Sequence, residues 1–260
     1  MTSLPFFQVD AFADGPLTGN PAAVMPLDRW LDGPLMQAIA AENNLSETAF
    51  TVPSERDDAD FDLRWFTPTS EVEMCGHATL AAGHVLIHSK PVRFAARCGT
   101  LTVNPRDDHL ELDIAAAKLR EVHEPDLCRA LGLPESPAWL ADGYNDAAII
   151  EVEDEAAVRA IRPEFAALKG IHRMAVVTAR GDNQDIVSRV FVPYLGIDED
   201  PVTGSAHAAL APYWAGRLGR SEFTALQASA RTGFVHCRLD GDRVMLGGQC
   251  HTVIAGQFQL

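Results

Sequence analysis

Alternating and helical hydrophobic patterns divide the first half of the chain into short elements. Residues 6–12 have the pattern of a strand, and a Gly/Pro/Asn turn connects them to NPAAVM, which begins at Asn20. Apolar positions at helical spacing predict a helix over residues 34–42. TAFTV and FDLRWFTP predict two further strands, and a helix of small residues is expected over residues 76–88. A hairpin formed by CGTLTV and HLELDI completes this set of elements.

The second half of the chain repeats these patterns in the same order. RWFTP begins at Arg64 and RVFVP begins at Arg189, 125 residues later, and NDAAII follows NPAAVM by the same distance. Gly76 of CGHATLAA matches Gly204 of TGSAHAAL, 128 residues later, and ARCGTLTV matches ARTGFVHC after 134 residues. Four ordered matches with slowly increasing offsets indicate a duplicated unit with small insertions. Two unrelated segments of similar composition are the alternative interpretation.

The central helices of the two copies are rich in Ala, Gly and Leu, at residues 76–88 and 204–218. Small residues on every face suit a helix that is surrounded by protein. We therefore expect an α+β fold of two pseudo-symmetric lobes, residues 1–114 and 125–260, with a cleft between them. Each lobe would be a curved, mostly antiparallel sheet or barrel around its helix. The linker is expected at residues 115–124, and the last few residues could return to the first lobe.

Composition and charge argue against several classes of protein. The 260 residues include 21 Lys or Arg and 36 Asp or Glu, which gives a net charge of −15, and no basic run is present for binding nucleic acid. No apolar stretch reaches the ~18 residues of a membrane span, and the N-terminus lacks the pattern of a secretory signal. Five widely spaced cysteines without a CxxC pair favour a reduced, cytoplasmic location over a disulfide framework or a zinc ribbon.

Both central helices are expected to begin at a glycine, Gly76 after EMC and Gly204 after DEDPVT. A helix N-terminus has unpaired N–H groups and a partial positive charge. Two such N-termini facing one cleft would form a site for a carboxylate or an enolate, so an acidic protein could bind a small anion through backbone dipoles. Tight turns without a ligand are the alternative.

Four motifs in combination resemble one known family: GNPAAV at 19–24, ENNLSETAF at 42–50, MCGHAT at 74–79 and DPVTGSA at 200–206. They are similar to motifs of the phenazine-biosynthesis isomerase (PhzF-like) family, which has the diaminopimelate epimerase-like fold. The resemblance extends over residues 6–256. It implies two similar lobes with the active site between them, a homodimer and no cofactor. The implied activity is an isomerase that moves a proton within a small unsaturated or cyclic carboxylic acid.

The resemblance also assigns roles to individual residues. Glu47 matches the catalytic glutamate, which would act as both base and acid, whereas without the resemblance a solvated turn carboxylate would be the simpler interpretation. Partial burial before the apolar strand TAFTV would raise its basicity. His77 and Asp200 would assist catalysis by orienting the substrate or by sharing a proton. The expected substrate-binding residues are Asn20, Cys75, Gly76, Gly204 and Ser205.

Cys75 suggests an alternative, because MCGHAT also resembles the first cysteine motif of proline racemases and epimerases. Those enzymes use two cysteines, one in each lobe, to exchange a proton at one carbon. The second position aligns through Gly204 with Thr203, whose hydroxyl is too weak an acid to replace a thiol. The sequence therefore argues against a two-cysteine racemase. A non-catalytic small-molecule-binding protein of the same fold stays open as an alternative.

No metal site is expected among the histidines of the first central helix. His77 and His84 would be ~10 Å apart along the helix axis, and His84 and His88 lack the glutamate of an HExxH motif. Ser205 lacks the G-x-S-x-G elbow of a serine hydrolase. Neither GxGxxG nor a P-loop motif occurs, so the sequence does not support nucleotide binding.

Overall fold

The computed structural model describes residues 2–143 and 146–260 and divides the chain into two compact units. The first unit contains the described residues up to Ile114 together with Gly247–Leu260, and the second unit is Ala115–Leu246. Asn145, where the repeated NDAAII begins, lies outside the described residues. In the part of the chain that the structure describes, no helix has the length and apolar character needed to cross a membrane.

The first unit consists of short strands with two helices of eleven residues each. Its elements are β1 (Ser3–Ala13), β2 (Asn20–Pro26), α1 (Gly33–Asn43), β3 (Glu47–Pro53), β4 (Phe61–Phe66), β5 (Glu71–Val72), α2 (Gly76–Leu86), β6 (Val92–Ala96), β7 (Gly99–Pro105) and β8 (Leu110–Ala115).

The second unit contains a longer central helix and three short ones. Its elements are β9 (Lys118–His123), α3 (Pro125–Ala130), β10 (Pro137–Asp142), β11 (Ala147–Glu151), α4 (Glu155–Ala160), α5 (Phe165–Lys169), β12 (Ala175–Arg180), β13 (Ile186–Val192), a 3-10 turn (Pro193–Leu195), β14 (Ile197–Glu199), α6 (Gly204–Leu218), β15 (Glu222–Gln227), β16 (Gly233–Asp240) and β17 (Arg243–Gln259), whose residues from Gly247 onward belong to the first unit.

The two units share one pattern of strand pairing. In the first unit β17, β1 and β2 pair antiparallel, β2 pairs parallel with β3, β3 pairs antiparallel with β4, and β4 pairs parallel with β6. In the second unit β9, β10, β11, β12, β13 and β15 pair in the same sequence of directions. Each parallel pair is joined by a crossover that contains helix, as parallel strands require. This common pattern supports a duplicated α+β unit.

Each unit also contains the same arginine arrangement at the repeated RWF and RVF motifs. Arg64 forms a bidentate ion pair with Glu71 at 2.8 and 2.9 Å and lies 5.1 Å from the centre of the Phe66 ring. Arg189 forms the same pair with Glu199 at 2.8 Å for both contacts and lies over the ring of Phe191. The matched contacts connect each long strand to the short strand that precedes the central helix.

The central helices are enclosed as their small residues predict. The first eight residues of α2 are buried, and the helix packs against β1, β2, β3 and β7. At Gly83 a Cβ atom would come within 2.6 Å of Cγ1 of Val103, so the strand approaches too closely for a larger residue. In the second unit α6 packs against β9, β11 and β16. Glycine and alanine in these helices therefore permit close contact with the surrounding strands.

Two expected boundaries were wrong. Residues 115–124, expected to be a linker, include β9, which pairs antiparallel with β10 along its whole length. This strand carries Lys118, Arg120 and Glu121 and is largely exposed, so its polar sequence obscured the strand pattern. The first central helix ends at Leu86, and His88 lies beyond it. The predicted helices at 34–42 and 204–218 are confirmed as α1 and α6.

Candidate active site

Two polar side chains of the first unit lie at the starts of neighbouring parallel strands. Asn20 is the first residue of β2 and Glu47 is the first residue of β3, where it is paired with Ala22. The segment ENNLSE can turn from helix to strand because Asn44 caps α1 in the left-handed region, with φ 49°. Since the strands are parallel, both side chains occupy the same edge of the sheet.

The N-terminus of α2 contributes two further groups. Cys75 is the extended residue before the helix, and the helix begins at Gly76, which brings His77 into its first turn. No side chain caps this N-terminus. The side chain of Thr79 instead donates a hydrogen bond to the carbonyl of Cys75. The helix N-terminus therefore presents partial positive charge beside the polar side chains.

The side chains of Asn20, Glu47 and Cys75 form one cluster around the buried His77 ring. The Nε2 atom lies 3.1 Å from Oε2 of Glu47, while Nδ1 lies 3.2 Å from Nδ2 of Asn20 and 3.5 Å from Sγ of Cys75. The side chain of His77 is 5% exposed and that of Glu47 is 14% exposed. The carboxylate is thus largely shielded from bulk water, with a small part of its side chain exposed.

The protonation of this cluster follows from its charges. Burial lowers the pKa of His77, but interactions with Cys75 and Glu47 outweigh burial and raise that pKa well above its ordinary value. Burial, followed by the negative charge of Glu47, raises the pKa of the Cys75 thiol to about 11. The thiol is therefore neutral near pH 7, so Glu47 is the anion that favours a protonated imidazole.

Asn20 opposes full protonation of His77 in the observed orientation. Its amide nitrogen faces Nδ1, and this contact is favourable when Nδ1 is an acceptor and the ring proton is on Nε2, toward Glu47. An imidazolium would need the Asn20 amide to present its oxygen instead. The histidine thus has a proton available at the carboxylate in either form.

A second polar network surrounds Asp200 in the second unit. The Thr203 hydroxyl donates to Oδ2 of Asp200, and the Gln227 amide donates to the Asp200 carbonyl at 2.7 Å. Gln227 also accepts a hydrogen bond from the backbone N–H of Thr203 at 2.9 Å. These bonds fix the turn that leads into α6, which begins at Gly204 without a side-chain cap and has Ser205 as its half-buried second residue.

The structure groups the predicted site residues by unit. Within the first unit it brings together Asn20, Glu47, Cys75, Gly76 and His77. Asp200, Gly204 and Ser205 lie together in the second unit. The proposed sharing of a proton between His77 and Asp200 stays a prediction, as does the location of the active site in a cleft.

Gln227 is a polar residue of this region that the sequence analysis missed. It is fully buried at the end of β15, where Phe223 and Ala225 precede it at alternate, buried positions. A glutamine on the apolar face of an alternating strand needs internal hydrogen-bond partners. That pattern was the available signal, but the partners are 24 and 27 residues away in the chain.

Thr203 occupies the position that a second catalytic cysteine would need. It is the residue before α6, as Cys75 is the residue before α2. Its hydroxyl donates a hydrogen bond to the Asp200 carboxylate. The local geometry therefore gives no second thiol, which agrees with the sequence argument against a two-cysteine racemase.

Comparison with known proteins gives consistent matches over the whole chain. The model of the PhzC-PhzF family, described as phenazine biosynthesis-like protein, matches residues 9–256. An uncharacterized isomerase of Pseudomonas aeruginosa is 49% identical over 264 residues, which cover 99% of each chain. The crystal structure of a PhzF-family protein from Enterococcus faecalis has a TM-score of 0.90 and 41% identity and covers 100% of both chains.

A more distant structure shares the fold alone. The hydroxyproline epimerase from Agrobacterium vitis has a TM-score of 0.65 at 12% identity and covers 98% of this chain and 92% of its own. This match agrees with the expected relation between the present fold and that of the racemases and epimerases.

Proposed function

The chain belongs to the phenazine biosynthesis-like (PhzC-PhzF) family and is an isomerase of that family, and we propose that it moves a proton within a small unsaturated or cyclic carboxylic acid. The observation that carries this proposal is the buried contact between Glu47 and His77 beside the N-terminus of α2. It combines a base, a hydrogen-bond donor and an uncapped helix N-terminus within one small region.

In the proposed reaction Glu47 is the acid/base catalyst. Its carboxylate removes a proton from a carbon that is α or vinylogous to the substrate carboxyl group, which leaves an enolate-like anion. The resulting carboxylic acid exchanges its proton with solvent and then delivers a proton to a different carbon of the chain or ring. One C–H bond breaks and another forms, so the reaction needs neither an oxidant nor a cofactor.

His77 and the helix N-terminus would stabilise the charge that develops. In the reaction the imidazole would donate a hydrogen bond through Nε2, which faces Glu47, and the backbone N–H groups from Gly76 onward would attract the anionic oxygens of the substrate. Asn20 holds the ring through Nδ1. Partial exclusion of water strengthens each of these interactions, because the local dielectric constant is low.

Asp200, Gly204 and Ser205 are proposed as assisting residues on the basis of the resemblance. The hydrogen bond from Thr203 to the Asp200 carboxylate fixes the orientation of that carboxylate. We expect Asp200→Asn to lower the rate of isomerisation while the fold is retained. Circular dichroism would check the fold.

A cytoplasmic homodimer is the proposed setting of this activity. The five cysteines, all within the described residues, are free thiols, which is typical of a reducing compartment. Val253 and Ile254 on β17 are exposed apolar side chains that a second copy could cover. Light scattering after gel filtration tests the dimer.

Incorporation of solvent deuterium tests the proposed chemistry directly. Small unsaturated and cyclic carboxylic acids are incubated with the enzyme in D₂O and examined by NMR. Glu47→Gln should retain substrate binding and lower exchange by ~10²–10⁴-fold, the usual contribution of acid/base catalysis. Cys75→Ser should lower exchange far less than Glu47→Gln. Equal losses in both variants would favour thiol chemistry instead.

A further inference from the structure

Among the described residues, one cluster brings together three side chains of the types that bind transition metals. Glu47, Cys75 and His77 each offer a ligand atom, and the three atoms lie within 4.8 Å of one another. The cluster is not a chance surface group, because Cys75 is 6% exposed and His77 is 4% exposed. No metal site was expected from the sequence, because the spacing of the histidines along the helix does not reveal this arrangement.

The donor set fits zinc better than a hard cation. A thiolate, an imidazole and a carboxylate are the three common protein ligands of Zn²⁺, whereas Mg²⁺ and Ca²⁺ prefer oxygen alone. Zinc bonds of about 2.0–2.3 Å in a tetrahedron place ligand atoms roughly 3.3–3.8 Å apart. The 3.5 Å between Sγ of Cys75 and Nδ1 of His77 already lies in this range. A carboxylate oxygen of Glu47 lies within 4.8 Å of the other two ligand atoms and completes the donor set.

Two buried atoms of the cluster lack a hydrogen bond of good geometry. Nε2 of His77 and Oε2 of Glu47 are 3.1 Å apart, but neither has a hydrogen-bond partner among the described residues. A buried polar atom without a hydrogen-bond partner lowers the stability of the folded state. A cation bound beside Cys75 and Nδ1 of His77 would give the carboxylate oxygen of Glu47 a partner.

The charges also balance when zinc binds. The Cys75 thiol loses its proton to solvent as the Zn–S bond forms, so a thiolate and a carboxylate neutralise the two positive charges of the ion. The partial positive charge at the start of α2 opposes the cation. The thiolate is therefore the ligand on which the affinity depends most.

We propose that Glu47, Cys75 and His77 bind one Zn²⁺ ion and that this ion inhibits the enzyme. Zinc would occupy the carboxylate oxygen that accepts the substrate proton, so Glu47 could no longer act as the base. The inhibitory role rests on the proposed function, whereas the binding site rests on the cluster alone. The fourth coordination position would be filled by water.

Metal titration tests the binding site without a substrate. Protein treated with a chelator is titrated with Zn²⁺ in competition with a chromophoric chelator, and with Co²⁺ to detect the thiolate-to-cobalt absorption band. The wild type should bind one equivalent and show the band. Cys75→Ser should lose the band and bind zinc more than ~100-fold more weakly, since even outer-shell changes cost 10–100-fold.

Cys98→Ser is the matched control, because Cys98 is an exposed cysteine of the same unit. It should bind zinc like the wild type. The site would be refuted by absence of stoichiometric binding, by unchanged affinity in Cys75→Ser, or by loss of binding in Cys98→Ser. Circular dichroism checks that each variant folds, and Glu47→Gln provides a second ligand variant with an expected weaker affinity.

The deuterium assay separates this proposal from the proposed function. If the enzyme exchanges a substrate proton, one equivalent of Zn²⁺ should abolish exchange in the wild type and in Cys98→Ser, and chelator should restore it. Exchange that continues with zinc bound would refute inhibition. Failure of every tested acid to exchange would count against the proposed function and leave the metal titration valid.

Discussion

Replacing Gly83 with alanine probes the enclosure of the first central helix. In a free helix the substitution would stabilise by about 1 kcal/mol, because alanine has the higher helix propensity. Here the new Cβ would lie 2.6 Å from Cγ1 and 2.8 Å from Cβ of Val103. Overpacking of a core costs about 1–3 kcal/mol, and three Val103 atoms closer than 3.0 Å place this substitution at the upper end of that range. After the gain in helix propensity, we expect a net destabilisation of about 1–2 kcal/mol.

Gly216 provides a control of opposite sign. It lies near the end of α6 in the second unit, is exposed, and has no heavy atom within 4 Å of the position of an added Cβ. Gly216→Ala should therefore stabilise that helix by about 0.5–1 kcal/mol. The same chemical change is thus expected to act in opposite directions in the two central helices.

Urea titration followed by circular dichroism measures both effects. Val103→Ala, which removes the opposing methyl groups, should cost about 2 kcal/mol alone. Combined with Gly83→Ala, it should cost less than the sum of the single variants, because the clash is relieved. A Gly83→Ala protein as stable as the wild type, or strictly additive variants, would refute the close packing between α2 and β7.

Two further substitutions test the charges of the second unit, and a third, at an exposed ion pair of the first unit, is a control. Arg189→Lys should lower the free energy of unfolding, measured by urea titration, by about 1–2 kcal/mol, because lysine cannot reproduce the bidentate pair with Glu199. Arg56→Lys, at an exposed ion pair, should leave the urea midpoint unchanged. Equal effects of the two substitutions would contradict the role of burial. Burial lowers the pKa of His207 to about 4, so its neutral form stabilises the fold above pH 6.5. About 3 kcal/mol of this stability should be lost as the pH falls from 6.5 toward 4, and His207→Gln should lack that part of the pH dependence. A variant with the wild-type pH profile would show that another group is responsible.

Much of the fold follows from the sequence because duplication leaves a readable pattern. The offset between RWFTP and RVFVP, together with the two glycine-started helices, was sufficient to predict two alike α+β units. The partners of Arg64 and Arg189 were not predictable. Glu71 follows its arginine by seven residues and Glu199 by ten, so no fixed spacing indicates the pair.

The candidate site was predictable in its residues and less so in its contacts. The motifs identified Asn20, Glu47 and His77, but their meeting depends on the register of two parallel strands and on the start of α2. No local pattern encodes contacts between residues separated by 57 positions, as Asn20 and His77 are. Cys75 was identified as a residue of the pocket, and its position beside His77 became visible only in the structure.

Exchange of a substrate proton with solvent tests the central claim most directly. A small unsaturated or cyclic carboxylic acid that the wild type isomerises is incubated in D₂O with the wild type, Glu47→Gln and Glu42→Gln. Glu42 is an exposed carboxylate of α1 five residues before Glu47 and is the matched control. We expect deuterium uptake with the wild type and with Glu42→Gln, and uptake lowered ~10²–10⁴-fold with Glu47→Gln. Uptake by Glu47→Gln at the wild-type rate would contradict the assignment of Glu47 as the acid/base catalyst.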